Sequence, residues 1–246
     1  MKPQPPPPPL MTFSPTDKER NVQAMFSSVA RFYDLNNTLL SFGLHHLWKR
    51  EAIRWAALSA DTCVIDVGAG TGDLSALSAR RVGPGGQVVA VDFNEPMLRI
   101  GWKKLRGLPV SCVLGNAQTL PFPDRRFDVA LTGFCMRNVS DLDQALREIR
   151  RVLKPGGRLV CLEFSRPQSA LLRLLYDFYS FTLLPRIGAW VSGDQTGVYR
   201  YLPNSIRDFP AQEALRARME TAGFRDVSYR NLSFGIVALH VGITKG

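Results

Sequence analysis

The chain has 246 residues, 45% apolar and 21% charged, which is enough for one substantial hydrophobic core and unlike a disordered polyampholyte. A formal charge of +10 suits an anionic partner, RNA or an acidic membrane surface, and equally a solvated basic surface with no partner. Cys63, Cys112, Cys135 and Cys161 lie far apart and only three histidines are present, so no disulfide framework or metal site is expected and the thiols read as reduced, in a cytoplasmic protein.

The N-terminus runs Met-Lys and then Pro3 to Pro9 without an apolar h-region, which excludes a secretory signal. Residues 1–17 read as a disordered, Pro-rich tail, and 18–246 as a single domain. Residues 18–60 carry helical periodicity, with Val22, Met25, Phe26 and Val29 on one face, followed by Leu39, Leu40, Leu44, Leu47 and Trp48.

From Cys63 the texture changes to short apolar runs alternating with helical stretches. Cys63–Val67, Gln87–Asp92, Val110–Gly115, Phe127–Gly133 and Arg158–Phe164 read as buried strands. Asp73–Val82, Pro96–Leu105 and Leu142–Leu153 read as the helices between them, so residues 61–165 form a parallel, doubly wound α/β core that would hold a cofactor. Residues 166–205 include the most apolar window, Ala170–Val191. Arg173, Asp177 and Arg186 interrupt it and Pro185 would break a single helix, so it suits an amphipathic cover over an apolar ligand or a helix lying on a membrane surface. In residues 206–246, Pro210–Ala222 reads as a helix closed by Gly223. Phe224–Leu232 and Gly235–Thr244 read as an antiparallel pair turning at Ser233-Phe234-Gly235.

The first strand runs into Gly68-Ala69-Gly70-Thr71-Gly72-Asp73, a glycine turn that lets backbone approach a nucleoside cofactor at a strand end. Dinucleotide-binding loops of the form G-x-G-x-x-G would want glycine where Asp73 stands. Asp66 and Asp73 bracket the loop with negative charge, which would repel a pyrophosphate and suit the ammonium and sulfonium of S-adenosylmethionine. Asp92 ends the second strand, where a carboxylate can accept both ribose hydroxyls, and Asn116-Ala117 follow the third strand near the expected adenine. Asn116 equally reads as a turn cap. Gly133 to Asn138, after the fourth strand, should line the gap between cofactor and substrate.

Beyond these features the chain resembles the C-methyltransferases of ubiquinone and menaquinone biosynthesis. The resemblance is carried by Tyr33-Asp34-Leu35-Asn36-Asn37 through Leu40-Ser41, His45 and Trp48, and by Arg151 to Gly157 through Glu163 and Ser165. Met136-Arg137-Asn138-Val139, Tyr176-Asp177, Leu184 to Gly188, Tyr199 to Leu202 and Val237 to His240 extend it over roughly residues 20 to 245. The resemblance implies a Rossmann-like class I methyltransferase with a mostly parallel seven-stranded sheet, an antiparallel C-terminal strand pair and helices on both faces. It implies a prenylated quinol as acceptor, in menaquinone or ubiquinone biosynthesis, and cofactor contacts at Thr71, Asp92, Asn116 and Ala117 beside the backbone of Gly68 and Gly70. The family commonly has serine where Gly133 stands and often glycine where Cys135 stands, so a hydroxyl contact is lost at Gly133.

Methylating a quinol ring carbon needs phenolate character at a neighbouring hydroxyl. Arg137 is the candidate beside that oxygen, as stabiliser or orienter of a water, since a guanidinium is a poor base. Asn138 is the candidate to hold Arg137. Tyr33, His45, Tyr176, Tyr199, Tyr201 and His240 are candidates to close the acceptor pocket, although each alone is more often a packed aromatic or a satisfied core histidine. The lipid-like acceptor points to peripheral contact with the inner face of the membrane; a homodimer stays open, and no nucleic-acid partner is expected. The alternatives are another small-molecule methyltransferase, an RNA methyltransferase suggested by the charge but lacking a basic block with interleaved aromatics, a nicotinamide oxidoreductase disfavoured by Asp73, and a binding protein that holds the cofactor without reacting.

Overall fold

Successive side chains of a strand point to opposite faces of a sheet, so a continuous apolar run supplies apolar residues to both faces. In the computed structural model, which describes residues 16–183, 186 and 198–246, these residues sort in that way. Ile65, Val67, Val89, Val91, Ala130, Leu159 and Cys161 pack on one face, with Leu146, Ile149, Leu215 and Met219 of two helices. Val64, Val88, Val129, Leu131, Val160, Leu162 and Leu239 pack on the other, with Trp48, Ala52, Ile53, Leu74 and Ala79.

The strands are β1 (Cys63–Val67), β2 (Gln87–Asp92), β3 (Val110–Leu114), β4 (Phe127–Gly133), β5 (Leu153–Phe164), β6 (Phe224–Leu232) and β7 (Val237–Thr244). They form one seven-stranded sheet in the order β3-β2-β1-β4-β5-β7-β6. β1 to β5 pair in parallel, whereas β7 is antiparallel to both β5 and β6. The Rossmann-like architecture with an antiparallel C-terminal pair is therefore as expected. β5 begins earlier than expected: Phe127 pairs with Leu153 and Val129 with Arg158, so Lys154 to Gly157 bulge outward, and Gly156 takes φ 74°.

Helices α1 (Asp17–Val29), α2 (Tyr33–Leu40) and α3 (Leu44–Ala56) precede the sheet. α1 starts at a capping box in which Thr16 Oγ1 accepts from the Glu19 amide and the Glu19 side chain accepts from the Thr16 amide. α4 (Asp73–Ala79), α5 (Glu95–Lys104) and α6 (Leu142–Val152) connect the parallel strands. α7 (Ala170–Phe178) passes into a π-turn at Tyr179–Leu183, and α8 (Val198–Asp208) and α9 (Gln212–Thr221) precede β6. Leu184, Pro185 and residues 187–197 lie outside the described residues, as do residues 1–15 of the tail.

Candidate active site

The glycine turn hangs on the end of β2. Gly68 and Ala69 donate their amides to the Val91 carbonyl at 2.8 and 2.9 Å, and Gly70 donates to Asp92 Oδ2 at 2.7 Å. Gly68 has φ 72°, and a Cβ there would lie 2.1 Å from Cys135 Sγ, so both backbone conformation and space require glycine. The other Asp92 oxygen accepts from the Asn94 amide at 2.7 Å. Both carboxylate oxygens thus accept from the backbone, and a carboxylate has further lone pairs with which to accept from two vicinal ribose hydroxyls. Burial lifts Asp92 to about 6, against the pull of the Asn94 and Gly70 amides. The residues present therefore fit an adenosine cofactor.

α1 roofs this side. Glu19, Gln23 and Ser27 recur one turn apart and face the strand ends. Asn116 Nδ2 donates to Glu19 Oε1 at 2.9 Å, and Asn94 Nδ2 donates to the Gln23 carbonyl at 2.9 Å and to Ser27 Oγ at 3.1 Å. Asn116 Oδ1 accepts from the Gln118 amide at 2.8 Å, so its side chain does act as a turn cap. Ala117 packs against the core next to it.

Two expectations for the cofactor side need correction. Asp73 carries no free charge: Lys49 Nζ donates to its Oδ2 at 2.6 Å and Lys104 to its Oδ1. Burial works to raise Asp73, but the two lysines outweigh it and hold the carboxyl at about 2. Asp66 is buried beneath the loop, where its Oδ2 accepts from Ser75 Oγ at 2.6 Å, and burial lifts it to about 7. The picture of two carboxylates presenting charge to a cation is replaced by one carboxylate held between two lysines and one brace for the first turn of α4. A Cβ on Gly133 would lie 2.7 Å from Leu74 Cδ1, so that position faces α4 and can offer a cofactor only its backbone.

On the other side of the loop is a cavity of about 360 Å³ whose walls include Tyr33, His45, Arg137, Tyr176 and Tyr201. Five candidates chosen from distant parts of the chain thus share one space. Trp48, Phe134 and Phe164 form its floor, with the Phe134 and Phe164 rings 4.6 Å apart. The walls do not include Gly68, Gly70, Thr71, Asp92 or Asn116. The two halves meet where Thr71 Oγ1 donates to Asp34 Oδ1 at 2.6 Å, one residue from Tyr33.

The Arg137 guanidinium is buried, with Nη1 donating to Glu163 Oε1 at 2.7 Å and to the Phe134 carbonyl at 2.5 Å. Burial by itself would lower its pKa, but the Glu163 carboxylate outweighs this and raises it, so Arg137 stays charged. Asn138 does not hold Arg137, contrary to expectation. Its Nδ2 donates to the Phe134 carbonyl at 3.3 Å and its Oδ1 accepts from the Tyr201 hydroxyl at 3.1 Å. His45 is neutral, with burial and then Lys49 holding it at about 4, and burial pushes the Tyr176 phenol to about 12. His240 does not reach the cavity: it lies in β7 with its ring nitrogen Nε2 2.9 Å from the Gln212 carbonyl. Tyr199 starts α8, but its side chain lies outside the described residues.

Sequence reasoning gave no role to Glu163, Asp34, Lys49, Lys104 or Glu19. A signal existed for Glu163, since a carboxylate inside the apolar run Leu159–Phe164 is costly unless paired. For the others, the partner in each case belongs to a different element.

The family model described as the ubiE/COQ5 methyltransferase family matches residues 15–244. The ubiquinone/menaquinone biosynthesis C-methyltransferase UbiE of Pasteurella multocida (strain Pm70) is 50% identical over 235 residues, covering 94% of this chain and 87% of that protein. The protein of the same name from Hahella chejuensis (strain KCTC 2396) is 48% identical, covering 93% of each chain. Among solved structures, a possible histamine N-methyltransferase of Thermotoga maritima aligns with a TM-score of 0.63 at 20% identity, covering 90% of this chain and 100% of that one. An S-adenosylmethionine-dependent methyltransferase from Aquifex aeolicus aligns with a TM-score of 0.58 at 19% identity, covering 93% and 98%. These two likenesses speak to the fold.

Proposed function

Because this chain belongs to the ubiE/COQ5 methyltransferase family, and is therefore an S-adenosylmethionine-dependent C-methyltransferase of quinone biosynthesis, we propose that it methylates a prenylated quinol held in the cavity beside Arg137. The observation that carries the acceptor site is the convergence of Tyr33, His45, Tyr176, Tyr201 and a charged Arg137 on one mostly apolar space.

S-adenosylmethionine, when bound, supplies an electrophilic methyl group on its sulfonium. Asp92 would accept its ribose hydroxyls, and the turned backbone at Gly68, Gly70 and Thr71 would face its amino-acid end. Asn116, Ala117 and the α1 roof would border the adenine. Arg137 favours ionisation of the quinol hydroxyl next to the reacting carbon by stabilising the phenolate. The phenolate carries more electron density at that carbon than the neutral phenol, and the ring proton leaves from the same carbon once the methyl is in place. The aromatic floor excludes water and fixes the ring plane, which is the alignment an in-line displacement requires. Tyr201 hydrogen-bonded to Asn138 and neutral His45 offer polar contacts to the ring oxygens.

The prenyl tail would leave by the cavity mouth. Phe42 and Phe234 line the cavity and are each 80% exposed, and α7 beside it has no buried residue, with Leu171 and Leu174 exposed at 66% and 67%. Arg166, Arg173 and Arg207 border a cleft next to α7. This apolar and basic rim supports peripheral contact with a bilayer. Among the described residues no helix is long and apolar enough to cross a membrane.

The test is labelled-methyl transfer to demethylmenaquinol and to a polyprenyl methoxybenzoquinol, both with short tails. Turnover of either supports the acceptor class and identifies the ring; turnover of neither overturns it.

A further inference from the structure

We infer that Glu163 is a positioning residue for methyl transfer, fixing the guanidinium of Arg137 toward the acceptor without itself reaching the cavity. The inference rests on the role proposed above for Arg137.

Glu163 is the second-last residue of β5, in register with Ala238 of β7, and only 1% exposed. A carboxylate there is costly unless it is paired and hydrogen-bonded. Its compensation comes from its own strand and from the turn after β4. Oε1 accepts from Arg137 Nη1 at 2.7 Å and from the Phe164 amide at 2.8 Å, while Oε2 accepts from the Arg137 amide at 3.3 Å. One carboxylate therefore holds Arg137 by both main chain and side chain, which sets the 3-10 turn Met136–Asn138 as well as the guanidinium plane.

The remaining freedom of that plane is closed by its other neighbours. Nη1 also donates to the Phe134 carbonyl, and Cζ lies 5.2 Å from the centre of the Phe164 ring. Arg137 Nε is buried and has no hydrogen-bond partner among the described residues. That nitrogen is closed off, so an acceptor oxygen would meet Arg137 on the part of the guanidinium that lines the cavity, and the plane fixed by Glu163 sets the direction of approach. Stability alone gives little reason for such a pair, since an apolar replacement of a buried ion pair is often as stable. Fixing a donor direction does give one.

A double-mutant cycle tests this, with kcat, KM for a short-tailed quinol, calorimetric S-adenosylmethionine affinity and thermal melting measured for Glu163→Gln, Arg137→Ala and the pair. Glu163→Gln is expected to lower kcat by about 30- to 100-fold, with cofactor affinity within about threefold, and to cause no further loss in the Arg137→Ala background. Equal losses in both backgrounds, or wild-type kcat with only a lowered Tm, would overturn the inference. If Glu163→Gln does not fold, Glu163→Asp takes its place: it keeps the charge one methylene further back, and a wild-type kcat in it overturns the inference. Failure of the acceptor reading shows separately, as a wild-type enzyme that turns over neither quinol.

Discussion

On the cofactor side, each candidate sits at the carboxyl end of a strand or in the turn behind it: Asp66 near the end of β1 with Gly68 to Thr71 just after it, Asp92 at the end of β2, Asn116 and Ala117 after β3, and Gly133 at the end of β4. On the acceptor side, the walls come from α2, α3, the turn after β4, the segment around Tyr176 and α8, from Tyr33 to Tyr201. The first half is made by backbone geometry that one short motif specifies, whereas the second is made by side chains that only packing brings together. On the reading proposed above, substrate choice belongs to the helical half, and the cofactor half could serve many acceptors.

The division breaks if damage in one half registers in the other. The largest expected effect is in the acceptor half: Arg137→Ala should lower kcat by about 10²- to 10³-fold, the scale of removing one charge-stabilising donor, with S-adenosylmethionine affinity nearly unchanged by calorimetry. A matching loss of cofactor affinity would mean that the halves are not separable.

The reciprocal change is Asp92→Ala, expected to weaken cofactor binding about 10²-fold while kcat at saturating cofactor stays near wild type. The same carboxylate gives the wild type a pH dependence of known sign. Burial raises Asp92 to about 6, so the proton returns as pH falls through that value and the acceptor for the ribose hydroxyls is lost. Affinity measured at pH 5 should be about tenfold weaker than at pH 7.

Lys49→Ala tests the seam between the helices and the glycine loop. It removes one of the two cations on Asp73 and should cost about 2 kcal/mol at pH 7, seen in denaturant unfolding. Asp73 is held below its unfolded value, so this stabilisation is full above about pH 4 and is lost as pH falls through about 2. The difference between variant and wild type should shrink over that window.

The smallest expected effect is at the rim. Leu171→Ser with Leu174→Ser should lower sedimentation with anionic vesicles about tenfold and leave turnover of a short-tailed quinol unchanged. Unchanged vesicle binding would move the membrane contact elsewhere.

Much of this was legible in the residues. The near-continuous apolar runs of β1, β2, β4 and β5 mark strands buried on both faces, because side-chain direction in a strand has a period of two, and the φ of 72° at Gly68 is a backbone demand local to the glycine turn. The family resemblance likewise follows from linear stretches such as Tyr33 to Trp48. What only the tertiary structure decided is who neutralises whom. Asp73 read as a charge for the cofactor until Lys49 and Lys104 came to it from two other helices, Arg137 was assigned to its neighbour Asn138 until Glu163 came from β5, and Leu74 took the space beside Gly133. His240 carries the same chemistry as His45, yet its strand points it at Gln212 rather than into the cavity. Backbone preference is a property of a few consecutive residues. The worth of a charge is set by desolvation and by partners at a few ångströms, which belong to the folded chain as a whole.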